Sequence, residues 1–425
     1  VSGNLVIKNA AELVTCCGFA AKHGKEMAEL HLIQDGALII ENGIITKVGK
    51  TEEVLNDFDQ PGFHEIDASG KAVLPGFVDS HTHFVFGGYR AEEFSWRLKG
   101  MSYMEVMAQG GGIVSTVEAT RKATKEELIA LGKKRLDSML AFGVTTVEGK
   151  SGYGLDYATE VKQLVVMGEL DAAHPVDIVR TFLGAHAVPQ NYRGNEEGFI
   201  EYLIQEVLPD VAKGKLAEFC DVFCEKGVFS VDQSQRLLES ARSFGLQLKI
   251  HADELTPLGG TELAVELGAI SADHLLHASD SGIQKMAEAG VIATLLPCTA
   301  FSLKEPYARA RFMIDNGCAV ALATDFNPGS CFSESIPLIF SLAVIYMGMS
   351  PEEAVTALTI NGAAAIGREK KVGSLDVGKS GDVVLLEFPS YRYIPYHIGV
   401  NCVETVIKKG QIVVNRCKER GEIPC

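Results

Sequence analysis

Short apolar runs at the two ends of the chain and strand-helix alternation between them give it two textures. Near the N-terminus the β-branched runs LVIKNA, GALIIENGIITKVGK and KAVLPG are broken by Asn-Gly, Asp-Gly and Ser-Gly turn signals, which predicts antiparallel strands. The texture returns in GDVVLLEF and CVETVIKKGQIVVN, where VIKKGQIVV predicts a hairpin around Lys409 and Gly410. The two ends are expected to share one small β-sandwich domain, residues 1–70 with 369–425.

Residues 71–368 alternate short buried strands with amphipathic helices, a pattern that implies a parallel sheet covered by helices. The predicted strands are AVLPGFVDSHTH, GVTTVEGKSG, IVRTFLGAHA, CDVFCEK, LQLKIHADE, SADHLLHA, GVIATLLP and CAVALATDFN, separated by helices such as KEELIALGKKRLDSMLAFG and QSQRLLESARSFG. Eight parallel strands in about 300 residues predict an α/β fold with a closed, TIM-like (β/α)8 barrel, whose chemistry belongs at the carboxyl ends of its strands. A doubly wound open sheet competes with this reading, but no GxGxxG follows the first such strand.

Composition narrows the function classes. Of 425 residues 47% are hydrophobic and 22% charged, as in an ordinary globular protein. Fifty-five acidic against thirty-nine basic residues give a net charge of -16, which opposes nucleic-acid binding; a small anionic substrate is still compatible, because one pocket Arg sets the local potential. The ten cysteines show no zinc-ribbon or redox CxxC spacing and read as reduced thiols. No segment has the length and apolarity of a membrane span, so a cytoplasmic chain without membrane partners is expected. The apolar stretch IPLIFSLAVIYMGM is expected in the barrel's outer ring, with a dimer interface as the alternative, and a homodimer is the expected assembly.

The most informative chemistry lies in Asp79-Ser80-His81-Thr82-His83, directly after an apolar strand. Two histidines at i and i+2 on a strand end face the same way, so both imidazoles can reach one metal ion; polar loop histidines are the bland alternative. His251 ends the fifth predicted strand, His274 the sixth, and Asp325 follows the eighth. Each alone would more often be a satisfied core or cap residue, but ligand-type residues on several strand ends of one barrel face favour a metal site.

PGFVDSHTH, the His of HADE, the His at strand six and the Asp of ATDFNPG resemble the amidohydrolase superfamily over the whole chain. GGYRAEEF, the GGGI run at Gly110 to Ile113, KSGYGLD, GAHAVP and TDFNPGS are similar to one ring-opening branch of it. The resemblance implies one divalent or trivalent ion, zinc or iron, held by His81, His83, His251 and Asp325, which would activate a water for hydrolysis of a cyclic amide C–N bond. It further implies catalytic roles for Glu254, His274 and Asp325, with His274 orienting the water or polarising the substrate carbonyl, or alternatively serving as a fifth ligand. Arg90, Tyr103, Tyr153 and His186 would hold a small carboxylate-bearing substrate, with Asn327 and Gly329 bordering its ring.

Glu254 could instead cap the helix that follows it. Lys226 lies near the place where binuclear members of the superfamily carry a bridging carbamylated lysine, but a solvated loop residue is the expected reading; Lys150, after the second strand, suits bridging less. The Gly110 to Gly112 run lacks the Lys-Ser/Thr of a phosphate loop and is expected to border the substrate. His277 is left outside the site. The alternatives in function are a related mononuclear deaminase of a nucleobase-like ring and a noncatalytic scaffold.

Overall fold

A computed structural model describes residues 3–56, 58, 61–101, 105, 109 and 111–416. The N-terminal segment forms β1 (Leu5–Val14), β2 (Leu32–Glu41), β3 (Ile44–Lys50), β4 (His64–Asp67) and β5 (Ala72–Pro75). The barrel strands follow as β6 (Phe77–Asp79), β7 (Val144–Lys150), β8 (Asp177–Ala185), β9 (Phe219–Cys224), β10 (Gln247–Ala252), β11 (Ser271–His274), β12 (Ile292–Leu295) and β13 (Val320–Leu322). The chain ends with β14 (Val383–Leu386), β15 (Val403–Lys408) and β16 (Gln411–Asn415).

Both ends meet in one sheet of order β16-β15-β14-β5-β1-β2-β3, with β4 also paired to β1. One of its core clusters gathers Leu5, Ile7, Leu38, Ile40, Val383, Leu385 and Ile407. Asn42 and Gly43 join β2 to β3, and Lys409 and Gly410 join β15 to β16, each pair with positive φ at both positions, as two-residue hairpins demand. The expectation of purely antiparallel strands is corrected in two places, since β1 runs parallel to β4 and β5. The pairing of β1 with β2 shifts register between Ile7 and Ala10, beside Asn9 at φ 60°; its first half takes β4 and its second takes β5.

The predicted strand AVLPGFVDSHTH divides at Gly76. The Gly76 amide donates to Asp382 in the terminal sheet, and the next amide, Phe77, donates to Gly143 at the start of the barrel's second strand. Nearby, buried Lys408 reaches from the terminal sheet to Asp177 (2.7 Å) and the Thr145 carbonyl (2.9 Å) of the barrel.

The barrel strands are parallel and lie in chain order from β6 to β13. Their covering helices start where the sequence places caps. Thr124 and Glu127 form a reciprocal capping box on Lys125–Ala141, and Ser230 and Gln233 do so on Val231–Ser243. The helix Ile336–Tyr346 buries Ile336, Ile339, Phe340 and Ala343 in the outer ring, while Ile345 and Tyr346 are exposed.

Closure occurs just beyond the strand ends. Thr82 pairs in parallel with Phe326, the His83 amide donates to the Phe326 carbonyl (2.9 Å), and the Asp325 amide donates to the His81 carbonyl (3.0 Å). Further along the same seam, toward the barrel interior, the amide and hydroxyl of Thr324 both donate to Asp79. The seam therefore sets the two histidines of the first strand beside the aspartate that follows the last.

Candidate metal centre

His81, His83, His251, His274 and Asp325 are all buried at the carboxyl ends of their strands. Ligand atoms of His81, His83 and His251 lie within 4.8 Å of one another, as do those of His81, His274 and Asp325. Oδ1 of Asp325 lies 3.6 Å from His81 Nε2 and 3.5 Å from His83 Nε2. The site thus brings together all four expected ligands, and His274 with them.

Neighbouring carboxylates fix which nitrogens face inward. Asp273 lies 2.6 Å from His81 Nδ1 and Asp221 lies 3.0 Å from His251 Nδ1. A carboxylate on Nδ1 favours the tautomer with the proton there, leaving the Nε2 lone pair for a metal. Among the described residues neither His81 Nε2 nor His251 Nε2 has a hydrogen-bond partner, and both are buried. Buried polar atoms are rarely left unsatisfied, so converging orphan imidazole nitrogens beside a carboxylate fit a borderline metal ion.

The electrostatics agree. Burial drives His81, His83 and His274 well below the ordinary imidazole range, which keeps them neutral, the form that ligates. Burial also acts on His251, but the Asp221 carboxylate overrides it and holds that ring above its usual pKa. Burial pushes Asp325 up to about 6, and burial reinforced by Asp325 pushes Glu254 up to about 8.

Asp325 (φ 51°) and His274 (φ 75°) both occupy the left-handed region, which non-glycine residues seldom adopt and which costs about 1–3 kcal/mol where imposed. Asp325 is held there on every side. Thr299 donates to Oδ2 (2.7 Å), and the Asn327 amide donates to Oδ1 (3.0 Å) and to the Asp325 carbonyl (2.7 Å). Asn327, expected to border the substrate ring, thus also braces Asp325.

Glu254 lies beside the site, its Oε1 3.5 Å from His274 Nδ1. The capping alternative for Glu254 falls to its neighbour: Asp253 accepts from the amides of Leu258, Gly259, Gly260 and Thr261 at the start of the next helix. His186 stacks on His83, with centroids 4.9 Å apart and planes at 12°, and its Nδ1 lies 3.1 Å from the Gly152 carbonyl. Tyr153 is buried with its ring 5.3 Å from His186 and 5.8 Å from His83.

Arg90 lines a cavity of about 480 Å³ with Gly329, Tyr89, Phe94, Phe301 and Phe332. One edge of its guanidinium is committed, since Nε donates to Glu93 at 2.8 Å and Nη2 donates to the same carboxylate. A Cβ on Gly329 would sit 2.2 Å from Arg90 Nη1, so Gly329 leaves room for the other edge. Tyr103 and Gly110 lie outside the described residues. Gly112 caps the helix Ile113–Lys122 and donates its amide to Glu93 (2.8 Å). Lys226 is exposed in the turn after β9, and His277 uses its amide to bond Asp253.

Sequence reasoning missed Asp221, Asp273 and Glu93. Asp273 directly precedes His274 and Asp221 sits inside CDVFCEK, so an acidic residue in an apolar strand was the available signal. Its partner is far away in the chain: the Asp273–His81 contact spans 192 positions.

A parallel barrel closed by a histidine-aspartate seam with converging orphan nitrogens defines a metal-dependent hydrolase, and the Amidohydrolase family model matches residues 72–413. The chain is 62% identical to the imidazolonepropionase of Clostridium tetani, over 97% of this chain and 99% of that one. It is 60% identical to the imidazolonepropionase of Parabacteroides distasonis, with the same coverage. An adenosine deaminase from Xanthomonas campestris, solved with bound zinc, shares the fold with TM-score 0.70 at 18% identity, over 97% of this chain and 93% of that one. The chain belongs to the amidohydrolase family and, within it, to the imidazolonepropionases.

Proposed function

We propose that this chain hydrolyses 4-imidazolone-5-propanoate to N-formimino-L-glutamate in histidine degradation, using one zinc or iron ion held by His81, His83, His251 and Asp325. The observation that carries the reading is the convergence of those four side chains beside the half-buried carboxyl of Glu254. Full-length relatives named imidazolonepropionase support the choice of substrate. Three imidazoles and a carboxylate accept either zinc or iron.

An ion held there supplies Lewis-acid chemistry, lowering the pKa of a water and polarising a carbonyl. The water oxygen adds to the ring carbonyl carbon, the bond from that carbon to the ring nitrogen breaks, and the nitrogen leaves with a proton. Glu254 takes a proton from the water and returns one to the nitrogen, assisted by Asp325; a carboxyl poised near neutrality suits both directions. His274, its Nδ1 beside Glu254, faces the carbonyl oxygen and steadies the charge that develops there. Arg90 grips the propionate with the edge that Glu93 leaves open, while Tyr103, Tyr153 and His186 bond the ring or the carboxylate. Asn327 and Gly329 shape the ring's border.

The test is ultraviolet absorbance of freshly generated 4-imidazolone-5-propanoate with purified protein, with and without chelator, together with product identification and metal analysis. Metal-dependent loss of the ring with N-formimino-L-glutamate appearing is expected. A folded, metal-loaded protein that leaves the ring intact, or that releases ammonia from nucleobases instead, would overturn this substrate.

A further inference from the structure

Directly beneath the imidazoles the barrel interior holds five buried charges: Lys150 and Glu148 from β7, Asp221 from β9, Lys249 from β10 and Asp273 from β11. Lys150 Nζ lies 2.8 Å from Asp221 Oδ2, 3.0 Å from Glu148 Oε1 and 3.6 Å from Asp273 Oδ2. Lys249 Nζ lies 3.2 Å from Glu148 Oε2 and 3.9 Å from Asp273 Oδ2, and also donates to the carbonyls of Ser80 (3.3 Å) and Ala365 (3.1 Å). The two carboxylates that Lys150 joins are those that grip different histidines, Asp221 on His251 and Asp273 on His81. Asp221 and Asp273 set the two imidazole tautomers, whereas Lys150, Glu148 and Lys249 take no part in the chemistry described above.

An isolated buried ammonium would be strongly disfavoured, so its persistence means that its partners hold it. Burial opposes the charge on Lys150, but Asp221, Glu148 and Asp273 outweigh it and hold the amine protonated. Its Nζ is enclosed by the carboxylates of Asp221, Glu148 and Asp273, the contacts of an ammonium and not of a bridge between two metals. Its geometry instead spans two carboxylates of like charge.

We propose that Lys150 is a positioning residue that couples the two metal-facing histidines, His81 and His251, by holding Asp273 and Asp221 in register beneath them. Without the ammonium, the two carboxylates repel across the barrel interior and swing off the imidazole Nδ1 atoms. Both rings then lose the orientation that aims Nε2 at the metal. Lys249 anchors the other side of the layer and, through the Ser80 carbonyl, the backbone that carries His81.

The inference rests on the metal assignment, and the experiment separates the two. Zinc affinity of the full chain is measured by chelator competition, alongside the thermal melt of the metal-free protein and KM against kcat. Lys150→Met is expected to weaken zinc binding by about 10–100-fold, the range seen when outer partners of metal ligands are removed, with KM changed less than about twofold. Asp221→Asn and Asp273→Asn should each weaken it by a similar factor. Lys150→Met combined with Asp273→Asn should weaken it far less than the product of the two single factors, because both break one coupling. Wild-type zinc affinity in a folded Lys150→Met protein, or factors that simply multiply, overturns the inference.

Should Lys150→Met fail to fold, the Asp221→Asn and Asp273→Asn pair reads the same coupling, and independent losses there overturn it. A His251→Ala protein that keeps wild-type zinc affinity overturns the metal assignment itself.

Discussion

Glu93 takes one edge of the Arg90 guanidinium, through Nε at 2.8 Å and through Nη2, and thereby turns the other edge toward Gly329 and the cavity. A guanidinium gripped in this way is oriented before any ligand arrives, and a planar fork lacking rotational freedom loses less entropy when it binds a carboxylate. Replacing Arg90 with Met is expected to raise KM by about 10–100-fold with a smaller fall in kcat, since a charge-assisted contact far from the reacting bond holds substrate and transition state alike. Glu93→Gln should raise KM by a smaller factor. Steady-state kinetics check both; an equal loss of kcat and kcat/KM in the Arg90 variant would place this residue at the reacting atoms instead.

Glu254 should behave differently. Its half-buried carboxyl stands next to His274 and is pushed up to about 8 by desolvation and by Asp325, so it can both accept and give a proton near neutral pH. Glu254→Gln keeps the shape and removes the proton-carrying group. Its kcat is expected to fall by about 10²–10⁴-fold with KM and bound metal close to wild type. Loss of bound metal in step with activity would make Glu254 a ligand.

The difference between Arg90 and Glu93 shows what a sequence can disclose. His81 and His83 were legible because two residues apart on a strand end means one face, and Asp325 because ligand-type residues recur on several strand ends of that face within a motif that resembles the family's. The barrel followed from eight strand-helix units, whose helix starts at Thr124 and Ser230 carry their capping partners within three residues. Glu93, Asp221 and Asp273 were not picked out, because their roles depend on packing or on partners in distant strands, and spacing says nothing about those. The parallel pairings of β1 escaped for the same reason: the strand pattern records which face is apolar, not which strand lies alongside.

Metal affinity should depend on pH through the two ligands whose pKa values the free site raises. Asp325 is raised to about 6 by burial, and His251 is raised above the ordinary imidazole range by Asp221. Both must be without a proton to bind a cation, so protons compete as the pH falls through their pKa values, whereas His81 and His83 are already neutral and add no slope. Zinc affinity is expected to be level at about pH 8.5 and to drop below about pH 6.5, approaching about one tenfold step per pH unit for each group. Chelator competition across that range measures the slope. Stripping the metal at neutral pH should abolish turnover reversibly and lower the melting temperature, since a ligand at about 100 times its Kd stabilises by about 2.7 kcal/mol.

The stacked pair His186 and His83 makes the last prediction specific to one nitrogen. The Gly152 carbonyl beside His186 Nδ1 can only accept a hydrogen bond, so Nδ1 carries the proton, and burial holds the ring neutral by lowering its pKa to about 3. Nε2 is then an acceptor, suited to an N–H group of the substrate ring, while the ring face packs against His83. His186→Phe preserves the aromatic face and removes the acceptor. It is expected to raise KM by about tenfold, the equivalent of one hydrogen bond of about 1.4 kcal/mol, and to leave metal content unchanged. His186→Ala removes the face as well, frees the His83 ring to tilt, and should lower zinc affinity in addition to raising KM. Kinetics paired with metal analysis separate the two effects: a wild-type KM in the Phe variant would mean that Nε2 accepts nothing from the substrate, and unchanged zinc affinity in the Ala variant would mean that the stack does not hold His83 in place.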